Sequence, residues 1–465
     1  TYSQAADTDS IKGWPAGPNI EGESAVLMDA VTDTVLYSKN ADNKLYPASI
    51  TKIMTALLVC ENLDMNDSLT MSEAAAYGIE AGSSTIYAET GEVFTVEQAV
   101  MALMLESANE MALALAEKTS GSVKKFVELM NQRAAQLGCK HTHFNNPNGL
   151  HDEKHYTTAN DMMKIAKAAW YNPLFRKFVT TQTYEIPPTN KQPETRYLLN
   201  HHKMLAGQSY AYDGVLGGKT GYTDQAKTTL VTMADNADMQ LVAVVLEDQG
   251  DVYVDTRAMF DYVYANFSKV FLNEHDKPDG VRKFKTEDAY VVLPKGIDVS
   301  SLEHEITITD RQNAAGKLTY LYKGQNVGTV EVKLTADYIK EETGYNIEPE
   351  MKSVGKKSTD KEEKTEMPIY VKLLIAVVLL VIILLAVLFS LLKYRQVKRR
   401  RARQLARKRK KALERRRSNT EQTGENAFRR QSSAGRRKNT QIRNRQVDDR
   451  RSGSYRRRDR EGRYR

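Results

Sequence analysis

Apolar and polar positions divide the chain into stretches of different period. Ala25-Val26-Leu27-Met28 and Val35-Leu36-Tyr37-Ser38 are short apolar runs around a polar turn, which predicts a hairpin. Helical spacing then takes over, at 51–62, 97–105, 109–118, 122–137 and 159–170. Strands return at 215–220, 227–234 and 240–247, and a last helix covers 254–267. Strands, then helices, then strands with a closing helix predict an α+β domain over 21–270. Its antiparallel sheet carries a helical subdomain. Residues 1–20, with Gly13, Pro15, Gly17 and Pro18, predict a flexible leader.

From residue 276 the pattern changes to short runs, at 290–293, 305–308, 318–321 and 327–332. Pro294, Gly296, Gly316 and Gly324 separate them. This predicts a small all-β sandwich over 276–350, serving as a stalk, spacer or protein-binding module. A Lys/Glu/Ser-rich linker over 351–368 follows. Residues 373–392 are 20 residues without a charge. A bilayer core of ~30 Å needs about 20 helical residues, so 369–392 reads as a transmembrane helix.

Charge sets the orientation of that span. Residues 393–465 hold 30 Lys/Arg and 7 Asp/Glu, while residues 1–392 hold 37 and 52. An acidic body thus precedes a basic tail. Lys393, Arg395, Lys398, Arg399, Arg400 and Arg401 follow the span at once, and only Lys372 closely precedes it. The positive-inside rule puts the C-terminus in the cytoplasm and the body on the extracellular or periplasmic side. A removed signal peptide is expected before Thr1. Of the basic tail over 393–465, the first part can continue the helix for some turns, and beyond Ser418 it reads as disordered. Basic residues beside a membrane contribute about 1 kcal/mol each against anionic lipid. No folded nucleic-acid reader accompanies them, so no nucleic-acid partner is expected.

Candidate chemistry rests on three motifs in order: Ser49-Ile50-Thr51-Lys52, Ser107-Ala108-Asn109 and Lys219-Thr220-Gly221. Singly they say little. Ser-x-x-Lys recurs at Ser122, Ser353, Ser358 and Ser390, and Ser38-Lys39-Asn40 repeats Ser-x-Asn. Only Ser49 follows a proline loop (Leu45-Tyr46-Pro47-Ala48) and opens an apolar helix, Ile53 to Val59. Positions i and i+3 of a helix share a face, so Ser49 and Lys52 can meet. A helix start also favours developing negative charge. Ser-x-x-Lys, Ser-x-Asn and Lys-Thr-Gly together are the active-site set of penicillin-binding proteins and serine β-lactamases.

The motifs and their flanks resemble the low-molecular-mass D-alanyl-D-alanine carboxypeptidases, a branch of the penicillin-binding proteins. Asn146-Pro147-Asn148-Gly149-Leu150, His155 to Met162 and the run Val215 to Thr232 add to the likeness. It covers about 22–268 well and 276–335 loosely. The resemblance implies a penicillin-binding/β-lactamase-like fold. It implies that Ser49 is the nucleophile, Lys52 its base, and Ser107 a proton relay towards the leaving amine. Asn109 holds the substrate amide and the Lys52 head group. Lys219 and Thr220 hold the terminal carboxylate, and the backbone N–H groups of Ser49 and Tyr222 form the oxyanion hole. Gly221 leaves room for substrate backbone along the strand edge. The implied substrate is the peptidoglycan stem peptide, cut by acyl transfer to release D-alanine, with β-lactam antibiotics as inhibitors.

Rival chemistries find less support. His141, His143, His151 and His155 sit in loop-like sequence without a His-Glu-x-x-His pattern. No metal and no cofactor are expected. Cys60 and Cys139 are too few for a disulfide framework, and whether they pair is open. A class A β-lactamase would want Glu-x-x-x-Asn between Asn109 and Lys219, and none is present. A catalytically silent wall-binding protein or sensor is the non-enzymatic alternative. Transfer of the acyl group to an amine in place of water is a third.

Overall fold

Residues 7–236 and 239–346 are described in the computed structural model of the chain, and they fall within one compact unit. Strands β1 (Ser24–Asp29) and β2 (Thr34–Lys39) form the expected hairpin. Helix α1 (Lys52–Asn62) follows. A small hairpin, β3 (Ser68–Thr70) with β4 (Val93–Thr95), brackets α2 (Glu73–Tyr77). Then come α3 (Val96–Leu105), α4 (Asn109–Ser120), α5 (Val123–Gln136), α6 (Ala159–Trp170) and α7 (Pro173–Val179). A second small hairpin joins β5 (Thr183–Ile186) to β6 (Arg196–Leu199). The chain returns through β7 (Val215–Thr223), β8 (Lys227–Asp235) and β9 (Gln240–Asp248), and α8 (Val252–Asn266) closes it. The hairpins, α2 and α7 are too short to carry a period, and the sequence reading lacks them.

The main sheet is antiparallel, in the order β2-β1-β9-β8-β7. Both of its faces are covered. Along β9, Val242, Val244 and Leu246 enter a core shared with α1, α3, α4 and α6. Leu241, Ala243 and Val245 enter a second core shared with Met259, Phe260 and Val263 of α8. Strand alternation thus feeds two cores at once, so β9 reads as an unbroken apolar run from Leu241 to Leu246. Helix α1 lies inside the first core. Every residue from Lys52 to Cys60 is buried, as in a helix apolar all round. Side chains cap α2, α3 and α5 to α8, while α4 starts after Ala108 without one. Thr95 and Gln98 form a capping box on α3, and Thr158 accepts the Asp161 N–H of α6. Cys60 is buried, Cys139 is half-buried, and both are free thiols.

The leader departs from expectation. From Thr8 onward it packs on the hairpin, with the Trp14 indole donating to the Leu36 carbonyl at 3.1 Å. The Ser38 N–H donates to the Thr8 hydroxyl at 3.1 Å. Trp14 is buried in the second core beside Phe267. One tryptophan's apolar area outweighs the flexibility that the glycines suggest.

After α8 come β10 (Phe267–Phe271), β11 (Val281–Phe284), β12 (Tyr290–Pro294), β13 (Glu303–Asp310), β14 (Ala315–Tyr322) and β15 (Gln325–Leu334). They form a two-stranded sheet, β10-β12, and a four-stranded sheet, β11-β15-β14-β13. Helix α9 (Ala336–Thr343) follows, so the region expected to be all-β ends in a helix. Val291, Leu293, Leu318 and Val332 share the second core with α8. The Tyr290 hydroxyl donates to the Asp29 carboxylate at 3.3 Å. The expected linker, span and tail lie outside the described residues. Among the described residues, no helix is long and apolar enough to cross a membrane.

Candidate active site

Ser49 stands in a single 3-10 turn, Ala48–Thr51, which runs into α1. The expectation had been the first turn of the α-helix itself. The tighter turn eclipses side chains i and i+3. It carries Ser49 onto Lys52, whose amine lies 2.8 Å from the Ser49 hydroxyl. The residue before the nucleophile, Ala48, has φ +50°, a strained left-handed conformation for a residue with a Cβ.

Lys52 is fully buried. Its amine also donates to Asn109 Oδ1 at 2.7 Å and to the Asn148 carbonyl at 2.5 Å. Burial pushes its pKa well below the ordinary lysine value, the charge of Lys219 pushes the same way, and Glu110 opposes both. A neutral amine with a free lone pair is the form that can take the serine proton.

The loop 145–150 is fixed to α1 from several sides. The Thr55 hydroxyl donates to the Pro147 carbonyl at 2.6 Å. Asn145 and Asn146 donate their N–H groups to His155 Nδ1 at 3.0 and 3.3 Å. Nε2 therefore carries the proton and donates to the Thr51 hydroxyl at 2.8 Å. Burial holds the imidazole neutral, with its pKa pushed down to about 3. Gly149 (φ +86°) closes the loop. A Cβ there would lie 1.9 Å from the Ala48 carbonyl oxygen and 3.0 Å from the Ser49 nitrogen. His155 thus positions the nucleophile turn, and the His-rich stretch has a structural use. Among the described residues no group of three or more His, Cys, Asp or Glu is placed to hold a metal.

Ser107 and Asn109 lie where α3 passes into α4. Ser107 has φ +59°, and its buried hydroxyl has no hydrogen-bond partner among the described residues. Asn109 opens α4, with its N–H donating to the Ser84 carbonyl at 2.9 Å.

The third motif lies on β7, the edge strand of the main sheet. Lys219 is buried, and its amine donates to the Thr220 carbonyl at 2.9 Å. Burial pushes its pKa down to about 7, against the opposing charge of Glu106. Thr220 is half-buried. The Tyr222 side chain is exposed and donates to Asp224 at 3.2 Å, which leaves its backbone as the part facing any site role. Gly221 has a use beyond the expected one. A Cβ there would lie 2.8 Å from the Ser49 nitrogen and 2.4 Å from Thr229 Oγ1. Its absence lets β7 approach the nucleophile turn. Thr229, the partner of Gly221 on β8, donates to the Pro47 carbonyl at 2.8 Å and ties that turn to the same pair of strands.

The fold therefore joins Ser49, Lys52 and Asn109 by direct hydrogen bonds, brings Gly221 against Ser49, and sets Lys219 within electrostatic reach of Lys52. Sequence reasoning missed the roles of Thr51, Asn148, Thr229 and His155. The Pro-Asn-Gly signature is the one signal that pointed towards that loop.

Comparison with known proteins agrees with this geometry. The pattern of the D-alanyl-D-alanine carboxypeptidase family matches residues 12–250. The carboxypeptidase DacF of Bacillus subtilis is 34% identical over 339 residues, covering 69% of this chain and 84% of its own. The crystal structure of penicillin binding protein 5 from Haemophilus influenzae superimposes with a TM-score of 0.56 at 26% identity. That match covers 69% of this chain and 98% of the other, and so extends past residue 250. The Streptomyces K15 DD-transpeptidase matches with a TM-score of 0.51 at 31% identity, over 54% of this chain and 99% of its own. A paired serine and buried lysine, held on this sheet and matched along this length, make the chain a member of the D-alanyl-D-alanine carboxypeptidase family, a serine hydrolase among the low-molecular-mass penicillin-binding proteins.

Proposed function

We propose that the chain removes the terminal D-alanine from peptidoglycan stem peptides, with Ser49 as nucleophile and Lys52 as its base. The observation that carries this reading is the buried Lys52 amine 2.8 Å from the Ser49 hydroxyl, with its proton affinity lowered by burial. Lys52 takes the hydroxyl proton as Ser49 Oγ bonds to the carbonyl carbon of the penultimate residue. The proton passes by way of Ser107 to the leaving nitrogen, the C–N bond breaks, and D-alanine departs. Water then attacks the ester and gives up a proton to Lys52, the C–O bond to Ser49 breaks, Lys52 returns that proton to Ser49 Oγ, and the shortened peptide leaves. Developing oxyanion charge falls to the backbone N–H groups of Ser49 and Tyr222. Lys219 in its charged form, with Thr220, holds the terminal carboxylate, and Asn109 holds the amide and steadies the Lys52 amine. A β-lactam carries the same carboxylate and a strained amide, so it acylates Ser49 in place of substrate.

The uncharged stretch 373–392 and the basic residues after it support a membrane-anchored enzyme with its catalytic part outside and its C-terminus in the cytoplasm. Strands β10 to β15 then serve as a β-sandwich stalk. The acceptor of the acyl group decides between hydrolysis and transpeptidation.

The test is D-alanine release from a D-Ala-D-Ala-terminated peptide by the full chain and by Ser49→Ala. Release by the parent and none by the variant is expected, with loss of penicillin labelling in parallel. Labelling of the variant at the parental rate would remove Ser49 from the role.

A further inference from the structure

Two carboxylates bracket the Ser107-Ala108-Asn109 motif, and the reaction uses neither. Glu106 accepts the Leu199 N–H at 2.6 Å and pairs with His201 at 3.1 Å. Glu110, fully buried, accepts the Thr85 hydroxyl and the Ile86 N–H, each at 2.7 Å. The motif segment therefore grips two pieces of surface, the loop at 85–87 and strand β6.

Arg196 ties those pieces together. Its guanidinium spans both oxygens of the buried Glu92, at 2.7 and 3.0 Å. It also donates to the carbonyls of Ile86 and Tyr87, at 3.1 and 3.4 Å. Such a two-pronged pair fixes direction as well as distance.

The side chains turned outward from this frame are large and apolar. Tyr87 is 80% exposed, Tyr197 74% and Leu199 48%. Tyr197 and Leu199 stand two apart on β6 and share its outer face, while Leu198 between them is buried. Tyr87 has φ +59°, an outlier for a bulky residue. Leaving such side chains in water forgoes the gain from burying their apolar area. Among the described residues, nothing covers these three side chains.

We propose that Tyr87, Tyr197 and Leu199 form an apolar subsite for the stretch of stem peptide that immediately precedes the D-Ala-D-Ala unit. This rests on the carboxypeptidase reading above. The backbone that carries these side chains adjoins the motif: Glu106, the neighbour of Ser107, accepts the Leu199 N–H, and the Asn109 N–H donates to the Ser84 carbonyl three residues before Tyr87. Extended peptide advances about 3.3 Å per residue. The next two or three residues therefore stay close to the motif, whereas the sugar lies beyond them. Their aliphatic parts can cover the tyrosine faces, and binding energy gained there can be used at the reacting bond.

The experiment compares the full chain with a Tyr87→Ala/Tyr197→Ala double variant. Four probes are used: an N-acyl-D-Ala-D-Ala dipeptide, a stem pentapeptide, the same pentapeptide on its disaccharide, and benzylpenicillin. In the variant, kcat/KM should fall at least tenfold on both pentapeptides. Dipeptide turnover and benzylpenicillin acylation should stay within twofold of the parent. Unchanged pentapeptide turnover would overturn the subsite. So would an equal loss on all four probes, since that marks a structural effect. A loss confined to the disaccharide-bearing substrate would make the sugar the occupant and overturn the peptide assignment. Failure of the parent on every peptide, with penicillin still bound, would instead sink the carboxypeptidase reading.

Discussion

Lys219→Met should make the protein more stable and much less active. The Lys219 amine is buried on β7 and makes one hydrogen bond, to the Thr220 carbonyl. Its pKa falls from the ordinary 10.5 to about 7, with burial as the leading cause. That gap corresponds to about 5 kcal/mol of stability lost when the amine is charged in both folded and unfolded chains. Methionine has a similar volume and no charge, and it forgoes one hydrogen bond of about 1 kcal/mol. The expected gain is therefore about 4 kcal/mol. Its pH dependence has a definite sign. Below about 7 both states hold the proton and the whole penalty applies. Between 7 and 10.5 the folded state has lost the proton while the unfolded state keeps it, so the penalty shrinks as pH rises. Above 10.5 it is gone. Scanning calorimetry of the full chain and variant at pH 6, 8 and 9.5 should give a rise in Tm that is largest at pH 6. At roughly 2–4 °C per kcal/mol, that rise is on the order of 10 °C. A variant less stable than the parent at pH 6, or a gain that does not change with pH, would refute the argument from burial. The parallel loss of D-alanine release would mark Lys219 as a residue kept for function against stability.

Other outcomes follow from the same geometry. Gly221→Ala should slow acylation by a fluorescent penicillin about 100-fold, because a Cβ 2.8 Å from the Ser49 nitrogen must displace the nucleophile turn; a stopped-flow rate within threefold of the parent would contradict this. His155→Phe leaves the Asn145 and Asn146 N–H groups without an acceptor and should destabilise by about 2–4 kcal/mol in urea unfolding at pH 8. Folded His155 titrates at about 3 and an unfolded histidine at 6.5, so the parent alone loses stability as pH falls below 6.5. The difference should narrow by about 2 kcal/mol at pH 5, and a constant difference would argue against a buried neutral ring. Lys219 carries its charge below about 7, so kcat/KM on a carboxylate-terminated peptide should fall as pH rises through that value. The same peptide with a terminal amide should lack that limb.

Much of the fold is legible in the chain because the relevant periods are long. Segments 97–105, 109–118 and 159–170 carry enough turns to declare themselves, and α3, α4 and α6 lie on them. The strand at 240–247 is legible for another reason: both faces are covered, so it is apolar from Leu241 to Leu246. Illegible elements are those whose stability comes from elsewhere. The β5-β6 hairpin depends on Arg196 and Glu92, which are far apart in sequence. The leader depends on Trp14 reaching Leu36.

For the site, the sequence determined the chemistry, and the tertiary structure decided the physics that makes it work. Three motifs in order name a serine, a lysine and a second lysine followed by Thr-Gly, because residue identity and short spacing are local properties. Only the fold decided that Lys52 is wholly buried, that its amine meets Asn109 and Asn148, and that Lys219 is near enough to share its field. Desolvation and Coulomb terms depend on what surrounds a group in space. The same holds for Gly221 and Gly149, whose missing side chains matter because Ser49 and Ala48 arrive from elsewhere in the chain.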